Sequence, residues 1–315
     1  MSRLPLIAAV AATGLVIALA GCGLGSGEGT KGASLDVTLD FGSRTLLDTT
    51  TPKTDGQDTV MRLLQRNAKV TTRYGGGFVQ SINGKAGSTD GDPPQDWLYY
   101  VNGIEADKGA AATQVHDGDS IWFDRHDWTA TQRIPAVVGS YPEPFLHGKD
   151  GKRLPVLIEC ADLQSAACDK VVKQLADLGV VSARNRIRSS FVKESLRVIV
   201  GPWVAVRDEL IVRRLEEGPA ASGVYAKPSA DGRTISVLRP DGSSARTLGA
   251  GSGLVAATAA TDAQDQFPIW VVTGTDDAGV LSAAGTLDES TLHNRFALAV
   301  SGGRGVHVPD TDPAP

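Results

Sequence analysis

"WLYYVNGIEADKG", residues 97–109, decides how the first half of this 315-residue chain is read. Trp97, Tyr99 and Tyr100 fall within four positions, and the chain then reaches Asn102-Gly103, a pair that tolerates the positive φ angles of a tight hairpin turn. So many flat side chains are either the packed centre of a β-domain or the wall of a binding surface. Strand alternation sends Trp97 and Tyr99 to one face and Leu98 and Tyr100 to the other, so one set must be core.

Working outward, "GGFVQSINGKA" (76–86) is a second alternating run that meets an Asn-Gly pair. "LDVTLDF" (35–41) alternates as a half-buried strand should. "GQDTVMRLLQRNA" (56–68) puts Val60, Leu63 and Leu64 on one helical face, with Asp58 placed as the cap. "VHDGDSIWFDRHDW" (115–128) closes the unit with a turn and a strand. One short helix among several hairpins predicts an α+β domain over 35–128, antiparallel in its sheet. Residues 129–154 contain Pro and Gly without periodicity and read as a linker, although Ile134, Val137, Val138, Tyr141 and Phe145 are too apolar for a freely solvated tether.

The second half changes character. "LPVLIECA", "SLRVIVGPW", "FPIWVVTG" and "RFALAV" are continuous apolar strands, whereas "DKVVKQLADLGV", "RDELIVRRLEEG" and "TDDAGVLSAAGTL" carry helix signals. "RTISVLRPDGSSARTL" reads as a hairpin across Pro-Asp-Gly. Apolar strands alternating with helices predict an α/β domain over 155–308 with a mostly parallel sheet covered on both faces. Residues 309–315 are expected to form a disordered tail.

The first residues, "MSRLPLIAAVAATGLVIALAGCG", fit an export signal (1–21) better than a spanning helix. Leu19-Ala20-Gly21-Cys22 resembles a bacterial lipobox. That resemblance implies cleavage before Cys22, lipidation of its thiol (a palmitate-type acyl anchor) and attachment to the extracytoplasmic face of the cell membrane. Residues 22–34 would then be the acylated cysteine and a flexible Gly/Ser-rich tether. With Cys22 acylated, Cys160 and Cys168 remain as an even pair in an oxidising compartment, where a structural disulfide is expected.

Lys+Arg 31 against Asp+Glu 36 gives a net charge of −5 with the signs interspersed, which argues against nucleic acid as a partner. No G-x-S-x-G, H-E-x-x-H or P-loop motif occurs, and no catalytic or metal-ligand set stands out. "GSGLVA" (Gly251, Gly253, Ala256) with Asp276 further on loosely matches a dinucleotide fingerprint, but it follows a hairpin in mid-domain, where a close-packed glycine turn explains it better. Asp90, Asp92 and Asp96 offer oxygen ligands without the glutamate and spacing of a calcium loop. Asp124, His126 and Asp127 read as the solvated polar end of a strand. Asp276 and Asp277 suit the opening of a helix, and could otherwise serve acid–base chemistry on glycans.

"TVMRLLQRNAKV", "GGFVQSING", "DWLYYVNG" and "VHDGDSIWF", in that order, resemble the transcobalamin C-terminal-like domain, the β-rich half of animal cobalamin carriers that recurs in bacterial surface lipoproteins. The resemblance covers about 90 residues. It implies a ligand surface at Gly76, Gly77 and Phe78 in the second motif and Trp97, Tyr99 and Tyr100 in the third, with cobalamin as the ligand, no other cofactor, and an uptake transporter as a partner. The helical barrel that completes the site in the animal carriers has no counterpart here. The expected function is therefore that of an anchored binding lipoprotein and not an enzyme, capturing a corrinoid or another flat ligand for transport. A protein-interaction or adhesion module, and an envelope glycan hydrolase or transferase run by the second half, are the alternatives.

Overall fold

The computed structural model describes residues 32–50, 58–88, 90–188, 194–260 and 267–312. The export signal, Cys22 and most of the tether lie outside them. The described residues form one compact unit. Among the described residues no helix is long and apolar enough to cross a membrane.

The N-terminal half comprises strands β1 (Ser34–Leu39) and β2 (Arg44–Thr50), helix α1 (Val60–Asn67), and strands β3 (Val70–Arg73), β4 (Phe78–Ile82), β5 (Lys85–Ala86), β6 (Gln95–Val101), β7 (Ile104–Glu105) and β8 (Ser120–Asp127). Five of them form a sheet in the order β2-β1-β8-β6-β7, antiparallel except where β1 lies beside β8, and β3-β4-β5 form a small separate sheet. Thr59, not Asp58, caps α1 by accepting the Arg62 amide at 3.3 Å. Asp58 instead pairs with Arg66 at 2.6 and 2.7 Å. The helix buries Val60, Met61, Leu63 and Leu64 against Leu35, Val37 and Leu39 of β1, Ile121 and Phe123 of β8, and Trp97 of β6. Fully burying side chains of this size stabilises by about 1.5–3 kcal/mol each.

The C-terminal half runs β9 (Val156–Cys160), α2 (Ala166–Asp177), β10 (Ser182–Arg186), β11 (Leu196–Pro202), α3 (Trp203–Val206), α4 (Leu210–Arg213), α5 (Pro219–Ser222), β12 (Ala226–Pro228), β13 (Ile235–Leu238), β14 (Ser244–Leu248), β15 (Gly253–Thr258), β16 (Ile269–Gly274), α6 (Asp277–Ala284), α7 (Glu289–Leu292), β17 (Ala297–Ser301) and β18 (Arg304–Val308). Its main sheet has the order β10-β9-β11-β16-β15-β17-β18, and all but β15 and β18 run the same way. The predicted mostly parallel sheet is present, with antiparallel strands inserted toward one edge. Successive residues of its central strands alternate between two cores: Ile199, Leu254 and Val271 point to one, Val198, Val255 and Val272 to the other. Helices α2 and α6 cover the second core. The expected disulfide joins Cys160, the last residue of β9, to Cys168 in the first turn of α2, with the Cα atoms 6.0 Å apart.

The first of these cores does not belong to the C-terminal half alone. Phe41, Tyr100 and Trp122 from the N-terminal half pack with Trp203, Tyr225 and Phe296 from the other, so the central strands β1 and β8 of the N-terminal sheet are buried on both faces. The segment 129–154 is a strap between the cores: Ile134 and Val137 enter the shared one, while Val138, Tyr141 and Phe145 enter the second. The Asn102-Gly103 turn docks against this strap. Its φ values are +55° and +72°, and a Cβ on Gly103 would lie 2.8 Å from the Val137 carbonyl, so glycine is required twice over. Beyond β18 the chain stays packed as far as Asp310, which is buried and bonds Arg246 Nε at 2.6 Å.

Candidate ligand-binding site

Alternation along β6 divides the aromatic stretch between the two faces of the sheet. Trp97 and Tyr99 face α1. The Trp97 indole donates to the Lys85 carbonyl at 2.9 Å. The half-buried Tyr99 ring stacks on Phe123 with centroids 5.0 Å apart, and its hydroxyl donates to the Lys108 carbonyl at 2.5 Å and lies 2.8 Å from Thr113 Oγ1. Tyr100 faces the opposite way, is fully buried, and packs on Trp122 and Phe296. The ligand role expected for Tyr100 is thereby corrected: it belongs to the shared core, because the face sent away from α1 is sealed by the C-terminal half.

Just before β4 the chain turns through Tyr74-Gly75-Gly76-Gly77. Gly75 and Gly76 have φ of +71° and +95°, which favours glycine, and a Cβ on either would meet nothing within 4 Å. The backbone here is bare and open. Phe78 follows with 38% of its surface exposed, and Tyr74, 85% exposed, sits edge-on to it with ring centroids 6.2 Å apart. Opposite, Gly109 lets the loop 105–109 close on the glycine turn, since a Cβ there would lie 2.7 Å from the Gly77 carbonyl.

These pieces enclose a recess of about 260 Å³ lined by Gly77, Phe78, Trp97 and Tyr99 together with Ala106, Lys108, Gly109 and Phe123. Beyond Phe78 and Trp97 a second hollow, also about 260 Å³, reaches Trp128 and Gln132. A wider cleft of about 400 Å³ shares the wall 105–108 and carries His116, Lys149 and Asp150 on its far side. Four of the six residues expected to touch ligand therefore line one recess, Gly76 stands beside it in the turn, and Tyr100 is excluded. The sequence reading does not single out Tyr74 or Trp128. The signal for Tyr74 was available: an aromatic residue directly before three glycines has few local neighbours to bury it.

The electrostatics suit a ligand with an apolar body and polar fringe. Burial pushes the Tyr99 hydroxyl up to about 12, so it stays protonated as a donor. Burial also raises Glu105 above the ordinary carboxylate value, opposed by the Arg133 guanidinium, whose Nε lies 3.3 Å away.

The other polar candidates serve the fold. Asp124 and His126 are not solvated: both are buried at the seam between the halves. Asp124 accepts hydrogen bonds from Thr38 Oγ1 (2.5 Å) and the amides of Phe41 (3.0 Å) and Gly42 (2.9 Å), and pairs with His126 Nδ1 (2.8 Å). Asp90, Asp92 and Asp96 do not bring ligand atoms together, and Asp96 binds the adjacent Trp97 amide at 2.8 Å. Gly253 and Ala256 lie inside β15, where a Cβ on Gly253 would be 2.2 Å from the Gly279 carbonyl, so the glycine pattern serves strand–helix packing. Asp276 caps α6 through the Gly279 amide (2.8 Å) and also accepts the Gly251 amide (2.7 Å), bonds that hold its carboxyl below the usual range. At the strand ends Gly201 and Gly274 the surroundings are packed, with added Cβ atoms 2.6 Å from Ala161 Cβ and from the Val280 amide.

Comparison with known proteins bears on this same half. Residues 57–127, less than a quarter of the chain, match the family described as "Domain of unknown function (DUF4430)", which is related to transcobalamin-like folds. No curated protein matches the chain. Among solved structures, a crystal structure titled as that of "a putative metal binding protein" from Ruminococcus gnavus is similar at 15% identity, covering 31% of this chain and 97% of that one. Its TM-score is 0.25, a likeness too slight to inform fold or function.

Proposed function

We propose that this chain is a lipid-anchored extracytoplasmic binding protein that captures a broad, flat, partly apolar ligand on the aromatic recess of its N-terminal half, with a corrinoid as the first candidate. The carrying observation is the convergence of Gly77, Phe78, Trp97 and Tyr99 on one open recess beside exposed Tyr74. Flat apolar area with a few placed polar groups is what such a disc requires, and bare glycine backbone allows close approach. The recess is smaller than the roughly 300–1,000 Å³ of sites that enclose a ligand, so the disc would rest with one face uncovered. That uncovered face is where an uptake transporter would take over. Lipidation at Cys22 would hold the protein beside it at the membrane. Capture, not catalysis, fits a second half in which the candidate carboxylate of Asp276 is committed to capping α6 and the strand ends at Gly201 and Gly274 are packed.

The test is titration of the purified full chain with cobalamin, following tryptophan quenching and corrin absorbance. Saturable binding that weakens in Phe78→Ala and Tyr74→Ala is expected. Absence of a response at roughly 50 µM, equivalent to about 6 kcal/mol of binding, would overturn the corrinoid reading.

A further inference from the structure

Away from the aromatic recess, on the far side of β1, three ligand-type side chains converge. Asp36 on β1 stands directly opposite Asp48 on β2. Like charges facing each other across a strand pair repel, so this arrangement needs a compensating positive charge. His293, which follows α7 in the C-terminal half, comes to the same point, and one ligand atom from each of the three residues lies within 4.8 Å of the others. Asp36 Oδ1 is buried and finds no hydrogen-bond partner among the described residues; His293 Nε2 lies 3.7 Å from it. A buried carboxylate oxygen left in this way is costly.

The corner that presents His293 is rigid. Asn294 adopts a left-handed conformation (φ +56°), and a Cβ on Gly42 would fall 1.9 Å from its carbonyl, so the two backbones are in close contact. The Asn294 side-chain nitrogen lies 3.1 Å from His293 Nε2 and holds the ring at this corner, a contact that a metal ion on Nε2 would replace. Asp48 and His293 are exposed, which leaves an entry path and open coordination positions.

We propose that Asp36, Asp48 and His293 form a binding site for a divalent transition-metal ion that clasps the first hairpin to the C-terminal half. Two carboxylates and an imidazole are a hard-to-borderline donor set suited to Zn²⁺ or Mn²⁺, and the imidazole disfavours Ca²⁺. With metal–ligand bonds of roughly 2.1 Å, tetrahedral donors stand about 3.4 Å apart. The 3.7 Å between Asp36 Oδ1 and His293 Nε2 therefore needs only a small contraction. The metal would give Asp36 Oδ1 its missing partner and cancel the repulsion from Asp48.

The experiment is calorimetric titration of the chelator-treated full chain with ZnCl₂ and MnCl₂, paired with melting curves. One ion bound per chain and a melting temperature raised by metal are expected. In Asp48→Asn and His293→Ala, both altered at exposed positions, affinity should fall at least tenfold and the metal-induced rise should vanish. Asp48→Asn should melt no lower than the parent without metal, because it removes the like-charge contact; a lower value would show that Asp48 acts structurally and would overturn the proposal. So would the absence of saturable binding at about 100 µM of either ion, equal binding in the parent and both variants, or a preference for Ca²⁺.

Discussion

The two faces of the N-terminal sheet are built from neighbouring residues of the same strands and have opposite fates. On the α1 side, Trp97 and Tyr99 pack against Phe123 and the helix, yet their edges reach a recess bordered by exposed Phe78, which Tyr74 meets edge-on from outside. On the other side, Tyr100, Trp122 and His126 are sealed under Phe296 and the C-terminal half. One eight-residue helix is too small to cover a five-stranded sheet to its edge, whereas a whole domain seals the centre of the opposite face and leaves only the β2 edge open. Binding surface is thus what the smaller cover leaves over, and the sealed face holds the molecule together.

If that contrast is right, the largest loss belongs to the sealed face. Trp122→Ala should destabilise the protein by about 3–5 kcal/mol. Urea unfolding followed by tryptophan fluorescence and by circular dichroism should give one shared transition, because the core is common; two separate transitions would break the comparison. Asp124→Ala comes next, at about 3 kcal/mol, since it leaves buried donors on Thr38, Phe41 and Gly42 unsatisfied. Chemical denaturation reads this directly, and a cost near zero would mean the seam is wetter than its burial implies.

The open face should respond the other way. Phe78→Ala and Tyr74→Ala are expected to change stability by less than about 0.5 kcal/mol while weakening ligand binding. Equal losses in stability would make these rings core and not surface. The smallest effect concerns the strap. Glu143 holds the His147 ring through Nδ1 at 2.5 Å and raises its pKa above the ordinary value. The protonated pair therefore contributes stability in full below about pH 6.5, and that contribution fades as pH rises through the higher folded-state value. His147 is partly exposed, so solvent screening keeps the effect modest. Melting temperatures of the parent and His147→Ala should differ more at pH 5.5 than at pH 8.5, and a constant gap would discount the pair.

The legible parts of the site were those set by local rules. Both Asn-Gly turns adopt the positive φ that the pair favours, at Asn83-Gly84 and Asn102-Gly103. Gly77, Phe78, Trp97 and Tyr99 do share a recess. Tyr100 could not be separated from Tyr99 in advance, because alternation assigns two faces without saying what lies over each. "LDVTLDF" read as half-buried for the same reason: Leu35, Val37 and Leu39 mark one covered face, but Asp36 and Thr38 gave no sign that the other face is buried too. His126 looked solvated while only its neighbours in sequence were considered.

The sequence by itself determined the periodicities, the turns, the α+β and α/β halves and the cysteine pairing, because each depends on contacts within a few residues or on the count of thiols left over. Only the tertiary structure decided that the halves share a core, that the strap is packed, and that Asp36, Asp48 and His293 meet. Those facts depend on which surfaces come together across more than two hundred residues of chain. Side-chain chemistry at any one position does not encode its distant neighbour.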